Sequence, residues 1–125
     1  MPYTTTKSIS LLKNKSKEPE VKEAMNTAYQ LAKQGLYPLA QTAFMNVYQQ
    51  EGLFEAGYNA ARLLEATKEL EAAEQLMGQL FFTTNNKKAE KALQEIQREI
   101  RYAQRLYYQQ QVRKQATEKT NTSEK

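Results

Sequence analysis

Apolar and small side chains recur every three or four residues through most of the chain, the spacing that places them on one face of an α-helix. Four short segments between residues 19 and 82 have this pattern, and a longer one begins near residue 87. We therefore expect helices at about residues 19–34, 38–51, 54–67, 69–82 and 87–111. The connections between the first four are so short that consecutive helices must be antiparallel neighbours.

Proline and glycine mark the ends of the first two helices. Pro19 and Pro38 suit the first turn of a helix, where the missing N–H has no acceptor to lose. Gly35 and Gly52 follow the last residues of the two segments and suit the left-handed conformation that often ends a helix. These residues divide the region from 19 to 82 into helical hairpins.

The two ends of the chain lack the helical pattern. Residues 1–18 mix Thr, Ser, Lys and Asn with a small apolar cluster at Ile9, Leu11 and Leu12, and we expect a flexible or loosely docked arm. Residues 112–125 are rich in Thr, Lys, Glu, Ser and Asn, a composition typical of a disordered tail. The helical repeat domain is therefore predicted to comprise residues 19–111.

The two hairpins repeat one plan. Shifting the first hairpin by 33 residues superimposes four identical pairs: Asn26 with Asn59, Ala28 with Ala61, Leu31 with Leu64, and Ala40 with Ala73. The small residues fall in mid-helix, where two helix backbones must approach closely, and larger apolar residues fill the gaps beside them. Such a pattern predicts an all-α short solenoid of two stacked antiparallel hairpins with a long C-terminal helix that covers the last one.

The hairpins resemble tetratricopeptide repeats, helix pairs of about 34 residues. The resemblance covers about residues 21–85 and rests on Gly35, Tyr37, Ala40 and Phe44 in the first unit and on the run YNAA at 58–61 in the second. Lys68 stands where the family has a turn glycine. More loosely, a short repeat pair followed by a basic helix is similar to the C-terminal part of some uncharacterised bacterial cell-envelope proteins.

The resemblance implies a non-catalytic scaffold whose first helices line a concave face for an extended peptide. By register, the face would carry Met25, Tyr29 and Lys33 from the first hairpin and Tyr58, Arg62 and Glu65 from the second. Tyr29 and Tyr58 could equally serve to cover the alanines beneath them. Asn59 and Asn26 are better explained as structural hydrogen-bonding residues of the repeat, and a clamp for a terminal carboxylate is not expected.

The last predicted helix offers an alternative function in self-assembly. Its apolar residues are spaced like a heptad seam, and at about 1.5 Å per residue the helix should project beyond the hairpins. The exposed seam would consist of Ile100, Ala103, Leu106 and Tyr107. A homodimer formed through this seam is the second hypothesis for the protein.

Composition argues against catalysis and cofactor binding. The chain contains no Cys, His, Asp or Trp, and no Ser between residues 17 and 122, so imidazole bases, thiol or serine nucleophiles and the usual metal ligands are absent from the predicted domain. We expect neither enzyme activity nor a cofactor. A protein or peptide partner of unknown identity is the expectation instead.

Charge is segregated along the chain. Residues 1–17 carry four lysines and no acid, residues 18–86 carry four basic and nine acidic side chains, and residues 87–125 carry ten basic and five acidic ones. The basic residues of the last helix do not share one face, so binding of nucleic acid or an anionic surface through the basic ends is a third, less favoured hypothesis. No segment is apolar enough for a membrane span or a signal peptide, and the compartment stays unknown.

Overall fold

A computed structural model describes residues 9–123, with side chains described for residues 9–117. Residues 1–8 of the predicted arm and residues 124–125 of the predicted tail lie outside the described residues. The described chain forms five helices: α1 (Pro19–Lys33), α2 (Tyr37–Glu51), α3 (Phe54–Ala66), α4 (Leu70–Thr84) and α5 (Lys87–Ser123). The all-α fold is confirmed, with each helix packed against the next one along the chain.

The turns inside the two hairpins are equivalent. In the first, Gly35 has a φ of 77° and the N–H of Leu36 donates to the carbonyl of Leu31 at 3.0 Å. In the second, Lys68 has a φ of 69° and the N–H of Glu69 donates to the carbonyl of Leu64 at 2.9 Å. Both are Schellman-type helix ends, and corresponding residues are 33 apart. A lysine therefore occupies a conformation that favours glycine.

The core lies between the helices and is centred on α3. Nine of the 13 residues of α3 are buried, because α2, α4 and the N-terminal segment all pack on it. The largest side chains that are almost completely buried come from all five helices: Phe44, Met25, Leu63, Met77, Leu80 and Ile96. The alanines predicted to allow close helix contact, Ala28, Ala40, Ala61 and Ala73, are all fully buried.

Gly57 allows an aromatic ring from α2 to lie directly on α3. A Cβ atom at Gly57 would be 2.8 Å from Cδ1 of Tyr48 and 3.0 Å from Cδ2 of Leu80. The absence of a side chain at Gly57 therefore leaves the space that the Tyr48 ring occupies at the interface of α2 and α3.

The last helix is longer than the sequence predicts. Its first part is held on α4 by Ala89, Ala92 and Ile96, which are buried. From residue 101 to residue 117 every side chain is exposed. The sequence predicts that the helix ends near residue 111 and that residues 112–125 are disordered, but the helix continues as far as Ser123. Gln, Arg, Lys and Ala favour helix by intrinsic propensity, even without tertiary contacts.

Candidate functional site

The N-terminal segment lies on the face that the sequence assigns to a peptide ligand. Residues 9–18 have no regular secondary structure, and Ile9, Leu11 and Leu12 pack half-buried against the core. Four hydrogen bonds join Leu12, Tyr29 and Asn59 at this face, and three of them involve the backbone of Leu12. We call residues 9–14 the docked arm. Its docking is firmer than the sequence predicts.

Asn59 holds the docked arm through both polar atoms of its side chain. The backbone N–H of Leu12 donates to Oδ1 of Asn59 at 2.6 Å, and Nδ2 of Asn59 donates to the backbone carbonyl of Leu12 at 2.9 Å. The side chain of Asn59 is fully buried. Because the N–H and C=O of one residue point to the same side in an extended chain, a single amide satisfies both, and the interaction does not depend on the arm's side chain.

Tyr29 completes the polar contact from α1. Its hydroxyl donates to the carbonyl of Leu12 and accepts from Nδ2 of Asn59 at 3.4 Å. The ring packs edge-on against Phe44, with centroids 5.1 Å apart. Burial raises the pKa of Tyr29, and the nearby Glu55 carboxylate raises it further. Hydrogen bonds with the side chain of Asn59 and with the backbone of Asn14 lower the pKa and offset part of this shift. The phenol therefore stays protonated and able to donate at neutral pH.

A local hydrogen-bonded motif links the arm to the residues before α1. The side chain of Asn14 accepts from the N–H of Ser16 at 2.9 Å and donates to its carbonyl at 3.1 Å. Ile9 and Leu11 lie beside the C-terminal end of α1. An open groove of about 680 Å³ runs between them and that end of α1, lined also by Tyr29, Gln30, Lys33 and Tyr37.

The six residues predicted for the peptide face separate into three environments. The prediction that Met25 contacts a ligand is wrong. Met25 belongs to the buried stripe of α1, together with Val21 and Ala28, and its side chain lies in the core. Tyr29 contacts the docked arm, and Lys33 is exposed at the rim of the groove. Tyr58, Arg62 and Glu65 lie together farther along α3, where they face α5.

The group on α3 and α5 is an ionic cluster. Nη1 of Arg62 lies 3.1 Å from Oε1 of Glu65 and 3.2 Å from Oε2 of Glu95 on α5. The guanidinium also lies 5.9 Å from the ring centroid of Tyr58, which is buried. We call Arg62, Glu65, Glu95 and Glu99 the α3–α5 cluster. It joins the last helix to the repeat hairpins in addition to the packing on α4.

Glu65 is electrostatically unusual within the cluster. Burial, followed by a hydrogen bond with Glu99, raises the pKa of Glu65 to about 8, and Arg62 offsets only part of the shift. Two carboxyl groups that close together are most stable when they share a proton. The folded protein therefore holds a proton at this site up to a higher pH than the unfolded chain does.

Asn59 is the site residue whose role sequence reasoning missed. It was interpreted as a structural residue equivalent to Asn26, but Asn26 is exposed, whereas Asn59 is fully buried and binds the main chain of the docked arm. The available signal was the position of Asn59, since a polar amide stands in the middle of an otherwise apolar buried run. A buried amide must find hydrogen-bond partners, and here they come from the arm.

The residues predicted for self-association are exposed to different degrees. Ile100 is half-buried against the core, whereas Ala103, Leu106 and Tyr107 are exposed on the projecting part of α5. Tyr102, Tyr108 and Val112, which the prediction did not include, add to the exposed apolar surface there.

Comparisons of the chain with protein-family models, with curated proteins and with solved structures found no match. Within the described residues, no helix is both long and apolar enough to cross a membrane. The same part of the chain brings no three acidic side chains into an arrangement that could hold a metal ion. The functional proposal therefore rests on the contacts of this chain itself.

Proposed function

We propose that the protein is a non-catalytic scaffold that binds an extended peptide segment of another protein on the face formed by α1 and α3. The observation that carries the proposal is the double hydrogen bond between Asn59 and the backbone of Leu12. A peptide from another chain could make the same two bonds, because they use main-chain atoms alone. Tyr29 would supply the third.

Burial of the recognising groups supports this proposal. A buried amide hydrogen bond contributes about 1 kcal/mol net, and a buried polar group without a partner costs about 1–3 kcal/mol. Asn59 is fully buried when the arm is docked, and the main chain of Leu12 satisfies both polar atoms of its amide. A buried side-chain amide that pairs with main-chain groups in this way supports a binding surface for an extended chain.

We infer in addition that the two hairpins are repeats of the tetratricopeptide type. Equivalent turns 33 residues apart, at Gly35 and at Lys68, support this inference, as do the buried alanines at matching positions. In such an arrangement α1, α3 and α5 are the first helices of successive units. Their common side is the one that carries Tyr29, Asn59 and the α3–α5 cluster.

The proposal can be tested by selecting binders from a displayed library of random 12-residue peptides against the full chain. We expect enriched peptides whose NMR titration shifts the signals of Tyr29, Asn59 and residues 9–14. Tyr29→Phe removes the hydroxyl and should weaken these peptides several-fold, whereas Tyr102→Phe on the exposed part of α5 should not. Failure to enrich any peptide, or shifts confined to other surfaces, would contradict the proposal.

Self-assembly through α5 is the second candidate function. It is favoured by the exposure of Leu106, Tyr107 and Tyr108, whose side chains are 40%, 65% and 69% exposed. Light scattering of the intact chain tests it directly. A dimer that becomes a monomer in Leu106→Glu/Tyr107→Glu would support assembly, and a monomer at every concentration measured would refute it.

A further inference from the structure

We propose that the docked arm is a tethered competitor for the peptide-binding face, and that the partner segment which replaces it is itself extended, aliphatic and basic. The inference rests on the proposed function and adds to it the chemistry of the occupant and a role for the arm. The arm is the one occupant whose contacts with this face are known atom by atom, and it therefore specifies what a competing segment must reproduce.

The main-chain requirement is strict. Asn59 accepts from the N–H and donates to the C=O of the same residue, so the occupant must be extended at that residue and cannot have proline there. Tyr29 donates to the same carbonyl. A helical segment would use both groups in its own hydrogen bonds and could not replace the arm.

The side-chain requirement follows from the burial pattern of the arm. Ile9, Leu11 and Leu12 are half-buried against the core, whereas Ser10 and Lys13 are exposed. The open groove beside Ile9 and Leu11 leaves room for larger aliphatic side chains at these two positions. The matching segment thus has aliphatic residues at the first, third and fourth positions and polar ones elsewhere.

Charge favours a basic occupant. The part of the arm and its connection that the structure describes carries Lys13, Lys15 and Lys17 and no acid before Glu18. The face itself contains the buried Glu55, which is close enough to Tyr29 to influence its titration. Residues 18–86 as a whole have five more acidic than basic side chains. The net charge of this region therefore favours a lysine-bearing segment, whereas Lys33 at the rim of the groove disfavours a lysine directly beside it.

The tether explains how the arm competes. Only residues 15–18 separate the docked arm from α1, so the arm stays near its site even when it detaches. Short tethers give effective concentrations on the order of millimolar. The arm therefore keeps a free segment with the same contacts from binding unless the arm's own contacts are weakened. The apparent Kd of the free segment equals its intrinsic Kd divided by the fraction of chains whose arm is detached.

The test uses an acetylated, fluorescently labelled peptide of residues 9–17 and the full-length chain. Fluorescence anisotropy would measure its binding to the wild type, to Leu12→Pro, which removes the N–H that Asn59 binds, and to Leu11→Glu, which removes an aliphatic contact. Ser10→Ala, at an exposed position of the arm, is the matched control. Circular dichroism would verify that each variant keeps the helical content and melting transition of the hairpins.

We expect both arm variants to bind the peptide about tenfold more tightly than the wild type and Ser10→Ala do. A peptide that itself carries Leu12→Pro should not bind. Equal affinity of the wild type and the arm variants would overturn the competition while leaving peptide binding intact. No binding to correctly folded arm variants would overturn the assigned occupant chemistry, and the random-library selection would still decide whether the face binds peptides at all.

Discussion

Leu12 and Asn59 are 47 residues apart in the chain, and two hydrogen bonds join the backbone of the first to the side chain of the second. The contact closes a loop that contains α1, α2 and the start of α3. It fixes an extended segment on the common side of the two hairpins. The same contact provides the first prediction.

Asn59→Ala should destabilise the fold by about 1–3 kcal/mol, because it removes the acceptor of the Leu12 N–H and one of the two donors to the Leu12 carbonyl in a half-buried place. Urea unfolding of the full chain measures the change. Asn46→Ala, an exposed position on α2, is the control and should stay within about 0.5 kcal/mol of the wild type. Equal stability of the two variants would mean that the arm contributes nothing to the folded state.

Lys68→Gly should stabilise the protein by about 1 kcal/mol, since a non-glycine residue in the left-handed conformation is strained by about that amount. The converse change is Gly52→Ala. A Cβ at Gly52 would meet no atom within 4 Å, so its φ of 66° alone should cost about 1 kcal/mol. Thermal unfolding should give a higher melting temperature for Lys68→Gly and a lower one for Gly52→Ala than for the wild type. Shifts of the two melting temperatures in the same direction would contradict the assignment of strain to these positions.

Ala40→Leu and Ala61→Leu should each destabilise by about 1–3 kcal/mol through overpacking, because both alanines are fully buried between helices. Ala24→Leu provides the control. Ala24 is exposed on α1, next to the buried Met25. If Ala24→Leu lowered the free energy of unfolding and the other two variants did not, the buried and exposed faces of these helices would have been assigned the wrong way round.

Stability should decline as the pH rises from about 4.5 to about 8 through the contribution of Glu65. Its pKa is raised to about 8 in the folded protein, so over this interval the folded state holds a proton that the unfolded state has lost. The contribution of Glu65 to stability is complete below the unfolded pKa and disappears as the pH passes the folded pKa, with a slope of at most about 1.4 kcal/mol per pH unit.

Glu65→Gln isolates this contribution from the other titrating groups. Gln keeps the shape and can still hydrogen-bond Glu99, but it does not titrate. The free energy of unfolding, measured from pH 4 to pH 9, should therefore vary less in the variant than in the wild type. A steeper dependence in the variant would show that Glu65 is ionised in the folded protein and that Arg62 outweighs its burial.

Local signals in the sequence were sufficient for the helices. Pro19, Pro38, Gly35 and Gly52 mark ends that the structure places within one or two residues of the prediction, because helix ends depend on nearby backbone conformation. The turn at Lys68 was also placed correctly. Its neighbours make the same hydrogen bonds as those of Gly35 despite the lysine.

Long-range packing was beyond the sequence pattern. Met25 was assigned to the ligand face by its register in the repeat, but the rotation of α1 against the core puts it inside. The partner of Asn59 lies 47 residues away in a segment without periodicity, so no local window could reveal it. In the tail, composition alone could not distinguish a solvated helix from disorder, since the same polar residues are compatible with both.

The account depends most on the docking of the arm, and hydrogen exchange of the Leu12 amide tests it most directly. In the full-length wild type, NMR should find this amide exchanging at least about tenfold more slowly than an unstructured chain, with the protection lost in Asn59→Ala. An amide that exchanges at the unstructured rate in the wild type would contradict the bond to Asn59, and with it the main-chain binding face.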